Sequence, residues 1–164
     1  MNKIGVSLLL LTGAINIGYA QDTFSIVAVD TATGEVGSAG ASCVNLSSFP
    51  GFSDDFLGVL IPNVGAINTQ AFYLQSNQNN ATNQMTQGLT PTQIINWLVA
   101  NDVQGMPELR QYGIAALGKV NPSAAAHTGT GTDDYKGQRV GTTYATQGNI
   151  LLGPEVLDSM ESRF

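Results

Sequence analysis

The chain alternates short apolar runs with polar turns, and the stretch TFSIVAVDTATGEVGSAGASC, residues 23–43, shows this pattern clearly. Two apolar runs joined by the polar segment Asp30–Gly34 predict an antiparallel hairpin, in which Gly34 can adopt a positive φ. Thr23 places a hydroxyl at the start of the first strand. Because both faces of this strand are largely apolar, we expect it to lie inside a sandwich or between a sheet and helices.

Similar patterns predict further strands along the chain. Pro62 and Asn63 separate two apolar runs and are typical of a tight turn, so they predict a second hairpin. The segment 121–123, Asn-Pro-Ser, separates another pair of runs in the same way. The strands predicted after the first hairpin are Leu57–Ile61, Val64–Gln70, Arg110–Lys119 and Ala124–Thr128, followed by one extended segment, Arg139–Gly148.

A capping box marks the clearest helix. Thr90 and Gln93 have the spacing of that motif, and Pro91 stands at the first helical position. The helix should pack on a sheet, because a wide apolar face follows the cap. The residues of this face are Ile94, Ile95, Trp97, Leu98 and Val99.

Two more helices are predicted with different character. Residues 72–88 are rich in Asn and Gln, and Leu74, Ala81 and Met85 fall near one helical stripe, which predicts a polar surface helix. Near the end of the chain, the sequence Gly-Pro-Glu at 153–155 predicts the start of a final helix that runs through Met160.

The composition indicates one domain rich in sheets and turns. Hydrophobic residues make up 43% of the 164 residues, charged residues only 11%, and 19 residues are glycine. This content supports a single hydrophobic core and excludes a disordered chain. The formal net charge of −6 argues against nucleic acid and anionic membrane surfaces as partners.

Residues 1–20 have the three parts of a secretory signal peptide. Lys3 supplies the positive start, Ile4–Leu11 is the apolar stretch, and residues 18–20, Gly-Tyr-Ala, form a small-x-small cleavage site. A membrane anchor needs about 20 apolar residues, and this stretch is shorter. We therefore expect residues 1–20 to be cleaved after Ala20. Residues 21–164 then form a secreted or periplasmic domain with no membrane attachment.

Several stretches together resemble a known family. They are TFSIVAVDTATGEVGSAGAS, GLTPTQII, RQYGIAAL, HTGTG and YKGQRVGTTYATQGNILLGPEVLDSM. These stretches resemble the bacterial DUF1028 family, and the similarity extends from Thr23 to Met160. The resemblance implies the fold of N-terminal nucleophile (Ntn) hydrolases. That is an α+β fold, a four-layer αββα sandwich of two mostly antiparallel sheets with helices outside.

The chain departs from this family at its end. Members of the family usually continue beyond the final helix into further sheet elements, whereas this chain ends at Phe164. We therefore expect a C-terminally shortened domain in which one sheet has an unpaired edge. Because an exposed edge pairs readily with another strand, a homodimer is an expected assembly.

The resemblance also implies a role for Thr23. An Ntn hydrolase uses the side chain of its first residue as nucleophile and the α-amine of that residue as base. A free α-amine titrates near pH ~8, so a useful fraction accepts the hydroxyl proton at neutral pH. Thr23 is thus the candidate nucleophile for hydrolysis of an amide bond in a small-molecule or peptide-like substrate. Cleavage after Ala20 leaves Gln21 and Asp22 ahead of Thr23, so activity requires a second cut at the Asp22–Thr23 bond.

Amide hydrolysis also needs hydrogen-bond donors for the oxyanion that develops on the carbonyl oxygen. Gln147 and Asn149, in the QGN segment that precedes the final helix, are the best candidates. Thr69 and Gln70, at the end of a predicted strand, form a weaker candidate pair. The alternative is that these side chains satisfy buried backbone groups at turns.

Other interpretations stay open from the residues alone. Thr23 is also a β-favouring residue suited to a strand start, and the protein is then a noncatalytic exported domain that binds a cell-envelope component or a protein partner. A Ser-His or Cys-His mechanism would use His127, the only histidine, with Asp133 as its orienting carboxylate. Its nucleophile would be Ser42 or Cys43, but neither lies in a nucleophile-elbow motif. We expect Cys43 to be a small buried hydrophobe, and the sequence predicts no cofactor and no metal site.

Overall fold

The computed structural model describes residues 22–48 and 51–164 and contains two four-stranded antiparallel sheets packed face to face. The predicted signal peptide lies outside the described residues. The first sheet contains β1 (Thr23–Val29), β2 (Val36–Ser42), β7 (Gly137–Val140) and β8 (Tyr144–Asn149), in the order β2-β1-β8-β7. The second sheet contains β3 (Gly58–Ile61), β4 (Gly65–Ala71), β5 (Arg110–Ala116) and β6 (Ser123–Thr128), in the order β3-β4-β5-β6.

Three helices cover the outer faces of the sheets. They are α1 (Gln75–Thr86) and α2 (Pro91–Ala100), which pack on the second sheet, and α3 (Pro154–Arg163), which packs on β7 and β8. This order of layers confirms the predicted α+β fold and the four-layer αββα sandwich. Short 3₁₀ helices at Leu46–Ser48 and Pro107–Leu109 lie in connecting loops. Within the described residues, no helix combines the length and the apolar character that crossing a membrane requires.

The first hairpin forms where the pattern predicts it. β1 and β2 pair from Thr23 opposite Ser42 to Val29 opposite Val36, and β8 pairs along the other side of β1. Gly34, in the connecting turn, has a φ of 77°, a conformation that glycine adopts without steric penalty. β1 is therefore an inner strand. Its side chains alternate between the gap between the sheets and the outer face of the first sheet.

Helix α2 begins with the predicted capping box. The Thr90 hydroxyl accepts the Gln93 N–H at 3.3 Å, and Gln93 Oε1 accepts the Thr90 N–H at 2.9 Å. Ile94 and Leu98 are fully buried in the core between α2 and the second sheet, whereas Trp97 is 39% exposed. The buried face is thus narrower than predicted, because a helix on a sheet buries only one stripe of its surface.

Helix α1 is present, but the prediction that it is a polar surface helix is wrong in one respect. Its inner face buries Asn77 and Gln78, and Leu74 precedes the helix as its N-cap. Asn77 Nδ2 donates to Tyr112 Oη at 2.8 Å, and Gln78 Nε2 donates to Thr69 Oγ1 at 3.0 Å. These polar side chains are buried because the second sheet supplies partners for them.

The predicted extended segment over residues 139–148 is a hairpin, so the prediction is wrong at this point. β7 ends at Val140 and β8 begins at Tyr144, and the Gly141 N–H donates to the Tyr144 carbonyl oxygen at 3.0 Å. The turn contains two β-favouring threonines and so lacks the usual turn residues apart from glycine. The reversal makes β8 an inner strand that pairs with both β1 and β7.

Candidate functional site

The gap between the two sheets is filled by two kinds of side chain. At one end lie valines and alanines of β1, β4, β5 and β8, here called the apolar end: Val27, Val29, Ala66, Ala115 and Ala145. At the other end of the same strands lie amide and hydroxyl side chains, here called the polar end: Ser25, Gln70, Gln111, Gln147 and Asn149. Each residue of the polar end is at most 5% exposed, so its hydrogen bonds form away from water.

Hydrogen bonds connect the polar end into one network. Gln147 Nε2 donates to Ser25 Oγ at 2.6 Å, and Ser25 Oγ donates to Gln70 Oε1 at 2.6 Å. Gln70 Nε2 donates to Gln111 Oε1 at 2.7 Å and to the Thr23 carbonyl oxygen at 3.4 Å. Because Ser25 and Thr23 belong to the first sheet and Gln70 to the second, these bonds join the sheets directly.

Gln111 is the centre of this network. Its Nε2 donates to the backbone oxygens of Gly137 and Gly148, at 3.2 and 2.9 Å. Carbonyl oxygens only accept hydrogen bonds, so these contacts fix the orientation of the Gln111 amide. Gln111 Oε1 therefore faces the opposite way, where it accepts from Gln70 and, at 3.0 Å, from Asn149 Nδ2.

Thr23 lies at the outer limit of the polar end. It is the first residue of β1, with Ser42 opposite on one neighbouring strand and Asn149 opposite on the other. Its Oγ1 is hydrogen-bonded to Ser42 Oγ at 2.8 Å, and the residue is 7% exposed. The Thr23 hydroxyl, which the family resemblance makes the candidate nucleophile, is thus held in place at the end of an inner strand.

Two cavities, each of about 400 Å³, open beside Thr23. This volume lies within the range of ligand-binding pockets. Both cavities are lined by Thr23, Val44, Ala71 and Phe72. The Phe52 cavity is also lined by Ser42, Phe52, Phe56, Leu57, Gln70 and Tyr73, and the Asp133 cavity by Leu109, Gly131, Thr132, Asp133, Asn149 and Ile150.

Two backbone positions in an unfavourable conformation border the site. Ala71 has a φ of 66° and Ile150 a φ of 58°, and they directly follow Gln70 and Asn149. The other non-glycine residue with positive φ in the described part of the chain is Asn63, in a hairpin turn. The left-handed region is unfavourable for alanine and more so for β-branched isoleucine. Such strained residues concentrate at functional sites, which supports a function at this end of the sandwich.

A buried ion pair supports the wall shared by both cavities. Arg110 Nε donates to Asp102 Oδ2 at 2.8 Å, both side chains are 1% exposed, and Arg110 also donates to the backbone oxygen of Phe72. Asn77 Nδ2 donates to Asp102 at 2.6 Å and to Tyr112 Oη. The hydrogen bond from Arg110 holds the pKa of Asp102 well below its ordinary value, and burial raises the pKa of Tyr112 to about 12. Phe72 is thus anchored by a charge pair.

The structure brings together two of the three predicted site residues. Thr23 and Asn149 are register partners on neighbouring strands, and both line the Asp133 cavity. Gln147 lies deeper, opposite Ser25, and lines neither cavity. Its Nε2 donates to Ser25, and its Oε1 is buried without a hydrogen-bond partner. The roles of Asn149 and Gln147 as oxyanion donors stay predictions.

Two residues at the site have more contacts than the sequence suggests. The sequence gives Gln70 only a minor role and Gln111 none, yet both connect the strand of Thr23 with that of Asn149. Thr69, the sequence neighbour of Gln70, faces α1 instead and accepts from Gln78. The period-two alternation of strands separates Thr69 from Gln70, whereas no local pattern marks Gln111.

The structure does not bring together the residues of the alternative nucleophile mechanisms. His127 stacks on Tyr112, with ring centroids 6.0 Å apart, and its Nε2 is hydrogen-bonded to the Pro107 carbonyl oxygen at 3.1 Å. It therefore lies on the helix-covered face of the second sheet, away from Ser42. Cys43 directly follows the last residue of β2 and is exposed. The prediction that it is buried is therefore wrong. Across the described residues, no group of three or more His, Cys, Asp or Glu side chains is placed to hold a metal ion.

Comparison with known proteins identifies relatives. Residues 23–164 match a family described as a family of unknown function, DUF1028. The crystal structure of a DUF1028 protein from Silicibacter pomeroyi matches with a TM-score of 0.71 and 25% sequence identity. The match covers 86% of this chain and 60% of that chain, so this chain spans less than two thirds of that relative. No curated protein gives a significant match.

Proposed function

This chain belongs to the DUF1028 family, and we propose that it is an exported amidohydrolase of the Ntn type with Thr23 as its nucleophile. The observation that carries the proposal is the position of Thr23, at the end of an inner strand, beside two cavities and in front of a buried amide network. In an Ntn hydrolase the nucleophile and its base belong to one residue, so the substrate must reach that residue directly. The family match begins at this residue.

The proposed reaction needs no side chain as base. The free α-amine of Thr23 takes the proton from Oγ1, which attacks the carbonyl carbon of the substrate amide. The C–N bond of the tetrahedral intermediate breaks, and the proton passes to the leaving amine. Water, deprotonated by the same α-amine, then hydrolyses the ester on Thr23 and restores the hydroxyl. Ser42 Oγ, hydrogen-bonded to Thr23 Oγ1, orients the nucleophile.

Asn149 is the proposed donor to the oxyanion. It lies opposite Thr23 and lines the Asp133 cavity. One Nδ2 hydrogen is directed at Gln111, whose own amide is held by backbone carbonyls, so the direction of the second hydrogen is defined as well. Gln147 acts behind this group, through Ser25, as a positioning residue. Removing one preorganised donor of this kind typically lowers kcat about 10²–10³-fold.

The proposal requires that Thr23 become the first residue of the chain. In the structure, the Asp22 carbonyl oxygen accepts the Cys43 N–H at 3.2 Å. We infer that the Asp22–Thr23 bond is cut, by self-processing or by another peptidase, after removal of the signal peptide at Ala20. Intact-mass analysis of the exported protein tests this step. A chain that starts at Thr23 supports the enzyme, and a chain that starts at Gln21 contradicts it.

The role of Thr23 is tested by substitution. Release of ammonia from a panel of primary amides, including acetamide and phenylacetamide, measures turnover by the mature protein. We expect Thr23→Ala to abolish turnover of any amide that the mature protein hydrolyses, because the attacking oxygen is lost. Thr31→Ala, at an exposed threonine of the first hairpin, serves as the matched control and should retain full turnover. Retained turnover in Thr23→Ala would remove Thr23 from the mechanism.

The second candidate function is a noncatalytic exported domain that binds a cell-envelope component or a protein partner. The bond between the Cys43 N–H and the Asp22 carbonyl favours it, because it extends the pairing of the first hairpin one residue beyond Thr23. In an uncut chain the nitrogen of Thr23 is an amide, which is no base. A mature chain that starts at Gln21 and hydrolyses no amide would support this candidate.

A further inference from the structure

Among the described residues, no charged side chain lines the Phe52 cavity. Its described lining has four aromatic rings and three aliphatic residues, with Thr23, Ser42 and Gln70 as the polar members. No Asp, Glu, Lys or Arg is among them. Beyond Thr23, whose α-amine is a free terminus under the proposed function, a charged ligand group would lose its water without gaining a charged partner, and this strongly disfavours its binding there.

Three of the aromatic rings form one cluster in the wall of this cavity. Phe52, Phe56 and Tyr73 contact one another edge to face, with ring centroids 5.2–5.3 Å apart. The Tyr73 hydroxyl lies within hydrogen-bond distance of two acceptors, Gln75 Oε1 at 2.6 Å and Gln78 Oε1 at 3.0 Å, and donates its one hydrogen to this pair. This hydroxyl is therefore bound to helix α1, and the carbon atoms of the ring form the wall of the cavity.

The polar atoms of the cavity lie at one end. Gln70 uses Oε1 to accept from Ser25 and both Nε2 hydrogens to donate to Gln111 and to the Thr23 backbone. Its amide is thus occupied, and the hydroxyl pair of Thr23 and Ser42 is the polar group next to the space. A ligand that fits has one polar group at Thr23 and an apolar body beyond it.

The size of the cavity limits the apolar body. An apolar cavity of about 150 Å³ accommodates benzene, and the Phe52 cavity has about 400 Å³. It therefore has room for an aromatic ring or a branched alkyl group together with a short linker. A methyl group alone would leave most of the apolar wall without contacts.

We propose that the amide substrate carries an uncharged aromatic or branched aliphatic group, which occupies the Phe52 cavity while the amide bond lies at Thr23. The position of the amide bond rests on the proposed function. The selection for an uncharged apolar group follows from the lining of the cavity alone. The two parts can therefore be tested separately.

Binding to the Thr23→Ala protein tests the selectivity without turnover. The probes are phenylacetamide, acetamide and the anion succinamate, and the dissociation constants are measured by titration calorimetry or ligand-observed NMR. We expect phenylacetamide to bind at least about 10-fold more tightly than either other amide, from the apolar area that the ring buries. Equal affinities, or tighter binding of succinamate, would overturn the proposal.

A pair of variants locates the binding. Phe52→Ala should weaken phenylacetamide binding about 10-fold and leave acetamide unaffected, because it removes one wall of the cavity. Trp97→Ala is the matched control, since Trp97 is a comparably exposed aromatic residue on α2, 39% against 41% for Phe52. Thermal unfolding verifies that each variant is folded. Unchanged phenylacetamide binding in Phe52→Ala, or an equal loss in Trp97→Ala, would contradict the assignment.

Turnover separates this inference from the proposed function. If phenylacetamide binds as expected but a protein that starts at Thr23 releases no ammonia from any amide, the cavity assignment stands and the hydrolase proposal fails. If succinamate or acetamide is hydrolysed in a Thr23-dependent way and phenylacetamide is ignored, the hydrolase stands and this inference fails.

Discussion

The apolar end and the polar end of the gap between the sheets are built on the same strands and differ in what holds them together. At the apolar end, valine and alanine side chains from both sheets are almost completely buried. Their contribution to stability comes from the apolar area that they remove from water, and this hydrophobic effect has no preferred direction. At the polar end, the side chains from the same strands are equally buried but joined by hydrogen bonds of 2.6–3.4 Å.

This difference shows how one sandwich can combine a stable core with a precise site. An apolar cluster accepts changes of shape as long as its volume is kept. A hydrogen-bonded cluster fixes orientations, because each amide must match its donors and acceptors to those of its neighbours. The polar end lies beside Thr23 and the cavities, where fixed orientations are useful. The apolar end stabilises the same strands at their other end.

The largest effect is expected outside both ends, at the ion pair of Asp102 and Arg110. Neither the apolar end nor the polar end contains a titratable side chain, so neither contributes directly to the pH dependence of stability. Asp102→Asn leaves the buried Arg110 charge without its partner, which costs about 3–5 kcal/mol in the free energy of unfolding. Urea denaturation at neutral pH measures this loss.

The pH dependence of the same pair has a definite sign. Arg110 lowers the pKa of Asp102 in the folded state below the unfolded value of 3.8. The pair therefore contributes its full stability above about pH 4 and loses it as the pH falls further toward the folded pKa. We expect the difference in unfolding free energy between wild type and Asp102→Asn to shrink progressively below that pH. A difference independent of pH would contradict the ion pair.

The second effect tests the polar end at its centre. Gln111→Leu replaces the amide by an apolar side chain of similar size. It removes the oxygen that accepts from Gln70 and Asn149 and the nitrogen that donates to Gly148. Each buried group left unpaired costs about 1–3 kcal/mol, and Gln70 keeps its bond to the Thr23 carbonyl oxygen, so we expect a loss at the low end for three groups, about 3 kcal/mol in total. Turnover should fall as well, because Asn149 is no longer oriented.

Val27→Ala is the comparison at the apolar end. Val27 is fully buried, and its truncation should cost about 2 kcal/mol through lost burial and a small cavity. Because Val27 belongs to the apolar end, turnover should stay at the wild-type level under conditions where the variant is folded. If both variants reduce turnover equally at matched stability, the two ends do not differ in function as described.

The smallest effect is expected at Gln147, although it belongs to the same polar end as Gln111. The Gln147 side chain makes one hydrogen bond, to Ser25, and its buried Oε1 has no partner. Gln147→Met keeps the shape, removes the unpaired oxygen and loses one bond, so we expect a change within about 1 kcal/mol. Urea denaturation beside Gln111→Leu measures the contrast. A loss as large as that of Gln111→Leu would mean that Oε1 is bonded.

The sequence by itself determines the local elements of this protein. The apolar run predicts the strand at Thr23–Val29, and Thr90, Pro91 and Gln93 predict the start of α2, because both signals depend on neighbours along the chain. The same patterns do not predict the hairpin over residues 139–148, because Gly141 is the one typical turn residue in the turn that follows β7. Short-range patterns predict an element well only where its own residues carry the signal.

Only the tertiary structure decides what surrounds Thr23. The hydrogen bond between Ser25 and Gln147 joins residues 122 positions apart, and that between Gln70 and Gln111 joins residues 41 apart. Both pairs form between neighbouring strands of one sheet, and the bond from Ser25 to Gln70 then crosses the gap between the two sheets. No periodicity along one strand encodes the partner on another. Burial in that gap requires each amide to have a partner. A set of separate polar residues in the sequence therefore becomes one network only in the folded chain.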